Sequence, residues 1–282
     1  MDNYIKIIET PRDGFQALNG IIPTSDKVKY INQLLRCGFQ TVEVGSFVSP
    51  KLIPQMADTA EVLRQLDLQD VTSDIAVLAV TEKGGQMACD FKQVDQVFFP
   101  FSTSPTFLRR NIKSTLVQAD QTIDGLQNLC LKYNKELVVF FSMGFGSAYG
   151  DPWSMDILYE WVDRMMEKDL SIFPFSDIFG DADPVTIEKV FRLLMKEFPE
   201  AEFGLHLHSL PEKRKEKVAA AYRAGIRRFD TVISGLGGCP QTGKELVGNL
   251  SLEALLEFCD QHKVRHDLDL KKVAIAQQLM PA

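Results

Sequence analysis

No stretch of this chain stays apolar long enough to cross a bilayer, and the opening residues Met1-Asp2-Asn3-Tyr4-Ile5-Lys6 lack the apolar core of a secretory leader. Positive charge is not in excess: 31 Lys and Arg face 38 Asp and Glu, a formal charge of -7 that argues against a nucleic-acid-binding surface. Cysteine is sparse. Cys37, Cys89, Cys130, Cys239 and Cys259 form no CxxC pair and are odd in number, so no disulfide framework is implied. The first strand is followed by Thr10-Pro11-Arg12-Asp13-Gly14, which is not the Gly-rich phosphate loop of a doubly wound sheet. These absences predict a soluble, cytoplasmic protein with a small-molecule substrate, no membrane and no nucleic-acid partner. Homo-oligomerisation is left open.

What is present is a large apolar fraction, 45% of 282 residues, arranged in alternating signals. Strands are expected at Tyr4 to Glu9, Thr41 to Val44, Asp74 to Val80, Val94 to Phe99, Glu136 to Ser142, Ser171 to Phe175, Phe203 to His208 and Phe229 to Ser234. Between and after them lie eight helix signals. Thr24 or Ser25 caps one that Gly38 stops, Ser154 caps another, and Asp183-Pro184 opens a third. Strands separated by helices form parallel sheets, and eight such units in this length predict an α/β fold, a single (β/α)8 TIM barrel over residues 1–282. An open doubly wound sheet is the competing architecture.

In such a barrel the chemistry collects at the C-terminal strand ends. His206 and His208 sit two apart in a strand, so their rings share one face. Asp13 follows the first strand, and Asn249 follows the eighth. One carboxylate, two imidazoles and an amide oxygen make a mixed set suited to a divalent cation, Mg2+ or Mn2+, with Zn2+ as competitor. Asp13 as a mere turn residue and Asn249 as a mere helix cap are the bland alternatives. Cys239 lies in Gly235-Leu236-Gly237-Gly238-Cys239-Pro240, a loop whose glycines allow closure over a site.

Thr10-Pro11-Arg12-Asp13-Gly14-Phe15-Gln16, Ser46-Phe47-Val48-Ser49-Pro50-Lys51, His206-Leu207-His208, and the Gly235 to Pro240 loop followed by Gly248-Asn249-Leu250 resemble 3-hydroxy-3-methylglutaryl-CoA lyase. The likeness runs from about residue 5 to 260. It implies a metal held by Asp13, His206, His208 and Asn249, and a retro-Claisen cleavage of an acyl-CoA. It also implies Arg12 near the thioester carbonyl, Glu43 and Asp177 as supporting acidic groups, His206 as a base and Cys239 as a catalytic thiol. Substrate contacts are expected at Arg12, Gln16, Ser142 and Glu253. The chain departs from the family after His208, where Ser209-Leu210-Pro211 stand, at Ala17 and Leu18, at Ser147, and around Asp177. A related aldolase or condensing enzyme, or a non-catalytic barrel, is the alternative reading.

Overall fold

In the computed structural model, which describes residues 3–16, 18, 20–238 and 247–281, eight strands close into a parallel barrel in chain order. They are β1 (Lys6–Glu9), β2 (Thr41–Ser46), β3 (Asp74–Leu78), β4 (Gln96–Ser102), β5 (Glu136–Ser142), β6 (Ile172–Asp177), β7 (Glu202–Leu207) and β8 (Arg228–Thr231). Each pairs with its neighbours in sequence, and β8 closes on β1 through Lys6↔Arg228 to Glu9↔Thr231. The helices are α1 (Pro11–Phe15), α2 (Thr24–Leu34), α3 (Thr59–Gln65), α4 (Glu82–Cys89), α5 (Pro105–Asn111), α6 (Leu116–Tyr133), α7 (Met155–Met166), α8 (Pro184–Glu197), α9 (Pro211–Ala224), α10 (Leu252–His262) and α11 (Leu270–Leu279).

Strand alternation sorts the core into two layers. Ala76, Leu78, Phe98, Val138, Phe140 and Ile172 fill the barrel. Their neighbours Val77, Val97, Phe99, Val139, Phe141 and Phe173 face the helices. Both faces are buried, which is why Val138 to Phe141 is a continuous apolar run rather than an alternating one. At the N-terminal mouth polar side chains take over. Arg228 and Lys6 pair with Glu202, and Gln96 donates to Glu136 at 2.9 Å. A Cβ on Gly204 would stand 2.9 Å from Arg228 Cδ, so the guanidinium fits only over glycine.

The predicted strand order and closure are found, with shifted ends. β4 runs past Phe99 to Ser102 although Pro100 has no N–H. The loss is tolerated because Pro100 would donate toward β3, and β3 has already ended at Leu78. Three helices were not anticipated. Pro11 opens α1, a five-residue helix that looks like a turn in sequence. Ser104 caps α5 by accepting the Phe107 N–H at 3.1 Å, and Asp269 caps α11. Pro54, a residue that commonly opens a helix, here opens only a 3-10 turn, Pro54–Met56, followed by α3. Among the described residues no helix is long and apolar enough to cross a membrane.

Candidate metal centre

The C-terminal rim of the barrel is built by local devices. α1 begins one residue after β1, so its first turn holds Arg12 and Asp13 over the barrel mouth. β7 presents His206 and His208 on one face, ring centroids 5.1 Å apart. His208 pairs antiparallel with Asn249, and Ser209 N donates to Gly248 O at 3.0 Å, which draws the distant Asn249 to the same place. In β2 a register shift between Glu43 and Gly45 keeps both Glu43 and Ser46 on the inner face, opposite Ala76 and Leu78.

Asp13, His206 and His208 each offer a ligand atom within 4.8 Å of the others, and all three are buried. Asp13 Oδ2 and His208 Nδ1 have no hydrogen-bond partner. Leaving such a buried atom unsatisfied costs about 1–3 kcal/mol, so the pair is built for something that binds both. His206 turns Nδ1 to Asp230 Oδ2 at 3.1 Å and Nε2 to Asp13 Oδ2 at 3.9 Å. Its ring meets Phe140 edge-on at 5.5 Å, which fixes its plane. Asn249 donates its amide to Leu236 O at 2.8 Å. Gly237 (φ 96°) passes so close that a Cβ there would be 2.8 Å from the Asp13 carbonyl and 3.0 Å from Asn249 Nδ2.

Arg12 ties the charges together. Its Nε donates to Glu43 Oε1 at 2.8 Å, and its Nη1 donates to Asp13 Oδ1 at 3.2 Å and Gln16 Oε1 at 3.1 Å. Gln16 in turn donates to Asp13 Oδ1. Burial works against the Asp13 carboxylate, yet the charges of Arg12, His208 and His206 and the Asn249 amide outweigh it and lower its pKa. Burial pushes Glu43 up to about 7, with Arg12 opposing. His206 is penalised by burial, but its hydrogen bond to Asp230, with the charges of Asp230, Asp13 and Glu43, raises its pKa. Burial, reinforced by the neighbouring His206, pushes His208 down to about 4 and keeps it a neutral donor. Two imidazoles beside an Asp13 carboxylate held ionised present nitrogen and oxygen together, a set that suits a divalent cation.

The other sequence-predicted residues divide. Ser142 ends β5 on the inner face, its carbonyl held by Ser102 Oγ at 2.7 Å. Asp177 lies on the opposite face of β6 from Ser176, in line with Leu207 rather than His206. There it accepts from Lys217 Nζ at 2.7 Å and Ala182 N at 3.2 Å. Burial raises its pKa and Lys217 restrains the rise. Glu253, in the first turn of α10, accepts the Ser234 N–H at 3.1 Å and the Gln277 amide at 2.7 Å. Cys239 and Ala17 lie outside the described residues.

Sequence reasoning missed Asp230 and Lys217 as members of the site's surroundings. Asp230 sits in the apolar context Phe229-Asp230, a signal for a carboxylate with an inward partner. Ser46 is buried with its hydroxyl unpartnered, facing the same lumen as Glu43. A cavity of about 230 Å3 opens between the β5 and β6 rim segments, lined by Met143, Phe145, Ser147, Ser176, Asp177 and Phe179. Ser176 is the strand neighbour of His206, so the cavity adjoins the metal-ligand cluster.

A protein-family model described as HMGL-like matches residues 4–280. The chain is 28% identical over 266 residues to hydroxymethylglutaryl-CoA lyase of Bacillus subtilis, an alignment covering 94% of this chain and 88% of that protein. It is 28% identical to the cytoplasmic 3-hydroxy-3-methylglutaryl-CoA lyase of Rattus norvegicus over 97% of this chain and 79% of that one. Among solved structures, the Bacillus subtilis HMG-CoA lyase superposes with a TM-score of 0.91 at 28% identity, covering 99% of this chain and 93% of that chain. An HMG-CoA lyase from Acinetobacter baumannii, in complex with coenzyme A and 3-methylmalate, gives a TM-score of 0.90 at 27% identity over 99% and 90%.

Proposed function

Because the chain belongs to the HMGL-like family, we propose that it is a divalent-metal-dependent carbon–carbon lyase that cleaves 3-hydroxy-3-methylglutaryl-CoA, or a similar 3-hydroxyacyl-CoA, by a retro-Claisen reaction. The observation that carries this reading is the convergence of Asp13, His206 and His208 at the barrel mouth. Asp13, His206, His208 and Asn249 would hold the cation, Mg2+ or Mn2+ before Zn2+. When bound it supplies Lewis acidity that eases ionisation of the substrate's tertiary alcohol near neutral pH.

This chain's own groups do the rest. The alcohol proton passes to a base at the rim; with both ring nitrogens of His206 engaged, we assign that role to the Glu43 carboxylate. The C2–C3 bond then breaks. Its electron pair becomes the enolate of acetyl-CoA, and the alcohol carbon becomes the ketone of acetoacetate. Arg12, permanently charged and braced by Glu43 and Gln16, stabilises the enolate oxygen. Cys239 returns a proton to the enolate carbon. Ser142 and Ser46 face the barrel mouth where the acyl group would lie. Asp177 we assign to anchoring the rim through Lys217, and Glu253 to holding the loop stem at Ser234, rather than to substrate. The four described cysteines are free thiols, and the cytoplasm is the compartment we propose.

The test is metal analysis of the purified protein followed by an assay for keto-acid and acetyl-CoA formation with a panel of 3-hydroxyacyl-CoAs. Metal-dependent release of CoA-bound product and a keto acid from one member is the expected result. No cation and no cleavage across the panel would leave the barrel a scaffold.

A further inference from the structure

Asp230 lies on the inner face of β8, in register with His206 of β7. Its side chain is fully buried. Oδ2 meets His206 Nδ1 at 3.1 Å, while Oδ1 has no hydrogen-bond partner. An ionised carboxylate can only accept, so this contact places the imidazole proton on Nδ1. The lone pair is then on Nε2, and Nε2 is the atom that faces Asp13 Oδ2 across 3.9 Å. Neither of those facing atoms then has a proton to share, so they frame a gap rather than a bond.

From this we infer that Asp230 is a positioning residue for the cation site: it selects the Nδ1–H tautomer of His206, turns Nε2 toward the cation, and adds a negative charge behind the ligand. The inference rests on the reading of Asp13, His206 and His208 as a cation site. Folding alone gives little reason to keep this carboxylate. A buried charge with one oxygen unsatisfied is costly to take out of water, and a neutral side chain would not carry that cost. His208 is supported differently: its Nδ1 lacks a partner, and a backbone hydrogen bond at Val247 stands where His206 has a carboxylate. The two imidazoles therefore enter the site differently prepared. Carboxylates behind metal-bound histidines generally raise metal affinity by about 10–100-fold.

Two variants separate tautomer from charge. Asp230→Asn keeps an acceptor for Nδ1–H and removes the charge; Asp230→Ala removes both. Mn2+ dissociation constants are measured by titration calorimetry on the purified full chain, thermal unfolding checks the fold, and 15N NMR of the metal-free protein reports the His206 tautomer. The expected result is about 10–100-fold weaker Mn2+ binding in Asp230→Ala, a smaller loss in Asp230→Asn, cooperative thermal unfolding of both variants, and Nδ1–H only while residue 230 can accept. Mn2+ affinity in Asp230→Ala within twofold of the parent would overturn the inference while leaving the cation site standing. So would an Nε2–H tautomer in the parent. A parent chain that binds no Mn2+ would sink the cation site and the inference together. If Asp230→Ala does not fold, Asp230→Asn decides: unchanged affinity with an unchanged tautomer overturns the role of the charge, and the parent's own tautomer tests the rest.

Discussion

Lys217 of α9 buries its ammonium 2.7 Å from the carboxylate of Asp177 at the end of β6, and the same nitrogen donates to Gly180 O at 2.8 Å. Only 1% of the Lys217 side chain and 6% of the Asp177 side chain are exposed, so neither charge can fall back on water. Breaking such a pair from one side leaves an uncompensated buried charge and costs about 3–5 kcal/mol. Lys217→Met should therefore lose stability of that order in urea unfolding. Lys217→Met combined with Asp177→Asn should recover part of the loss, and a double-mutant cycle measures the coupling. Strict additivity would show that the two groups do not depend on one another.

Glu9 is a second buried carboxyl, on the helix-facing side of β1. It accepts the Ile233 N–H at 2.7 Å and the Thr231 hydroxyl at 2.8 Å. Burial pushes its pKa up from 4.5 to about 8, the two hydrogen bonds opposing. The native state therefore holds this proton more tightly than the unfolded chain does. The stabilisation from this group is complete below about pH 4.5 and is lost as pH rises through about 8. Over that window the loss is of the order of a few kcal/mol. Glu9→Gln, which cannot ionise, should flatten this part of the stability–pH curve and exceed the parent above pH 8. Parallel curves for variant and parent would contradict the assignment.

Cation binding should stabilise the fold by about 2.7 kcal/mol when Mn2+ is present at 100 times its dissociation constant, and raise the unfolding temperature logarithmically with Mn2+ concentration. His208→Ala should abolish that response, and a chelator should reverse it in the parent. Cys239→Ala should lower turnover while leaving the Mn2+ response intact. Loss of cation binding in Cys239→Ala would transfer that thiol from the proton-transfer role to the ligand set.

Gly237 has φ 96° and no room for a side chain between the Asp13 carbonyl and Asn249. Gly237→Ala combines left-handed backbone strain, about 1–3 kcal/mol at a position where the fold does not yield, with displacement of two proposed cation ligands. We expect weaker Mn2+ binding and a lower kcat/KM, both measured on the folded variant. A variant with unchanged affinity would mean that the loop yields instead of the ligands.

Much of this arrangement was legible before any coordinates. Strand and helix periodicity are local, so the order of eight units, and the shared face of His206 and His208, could be read directly. Asp13 and Asn249 came from their places after the first and eighth strands. What resisted reading depends on partners far apart in the chain. The face of Asp177 follows from the register Ser176↔His206, which no local pattern supplies. Lys217 looks like one more cation in the basic run Lys213 to Lys217, and only the packing of α9 beneath β6 and β7 buries it. The family resemblance puts Glu253 near the site without its partner, and that partner, the Ser234 N–H, lies on a segment 19 residues earlier. α1 was invisible because five residues opened by proline satisfy the signature of a turn as well as that of a helix.

The Gln277 amide on α11 reaches Glu253, and Glu253 holds Ser234, a non-glycine residue with φ 61° at the root of the Gly-rich segment. The last helix is thus a strut for the barrel mouth, although nothing on it meets the proposed cation ligands. Trimming the chain ahead of Gln277 should register at the opposite end of this linkage, as a slackened Ser234 backbone with faster amide exchange and a slower enzyme, even where the barrel itself still closes.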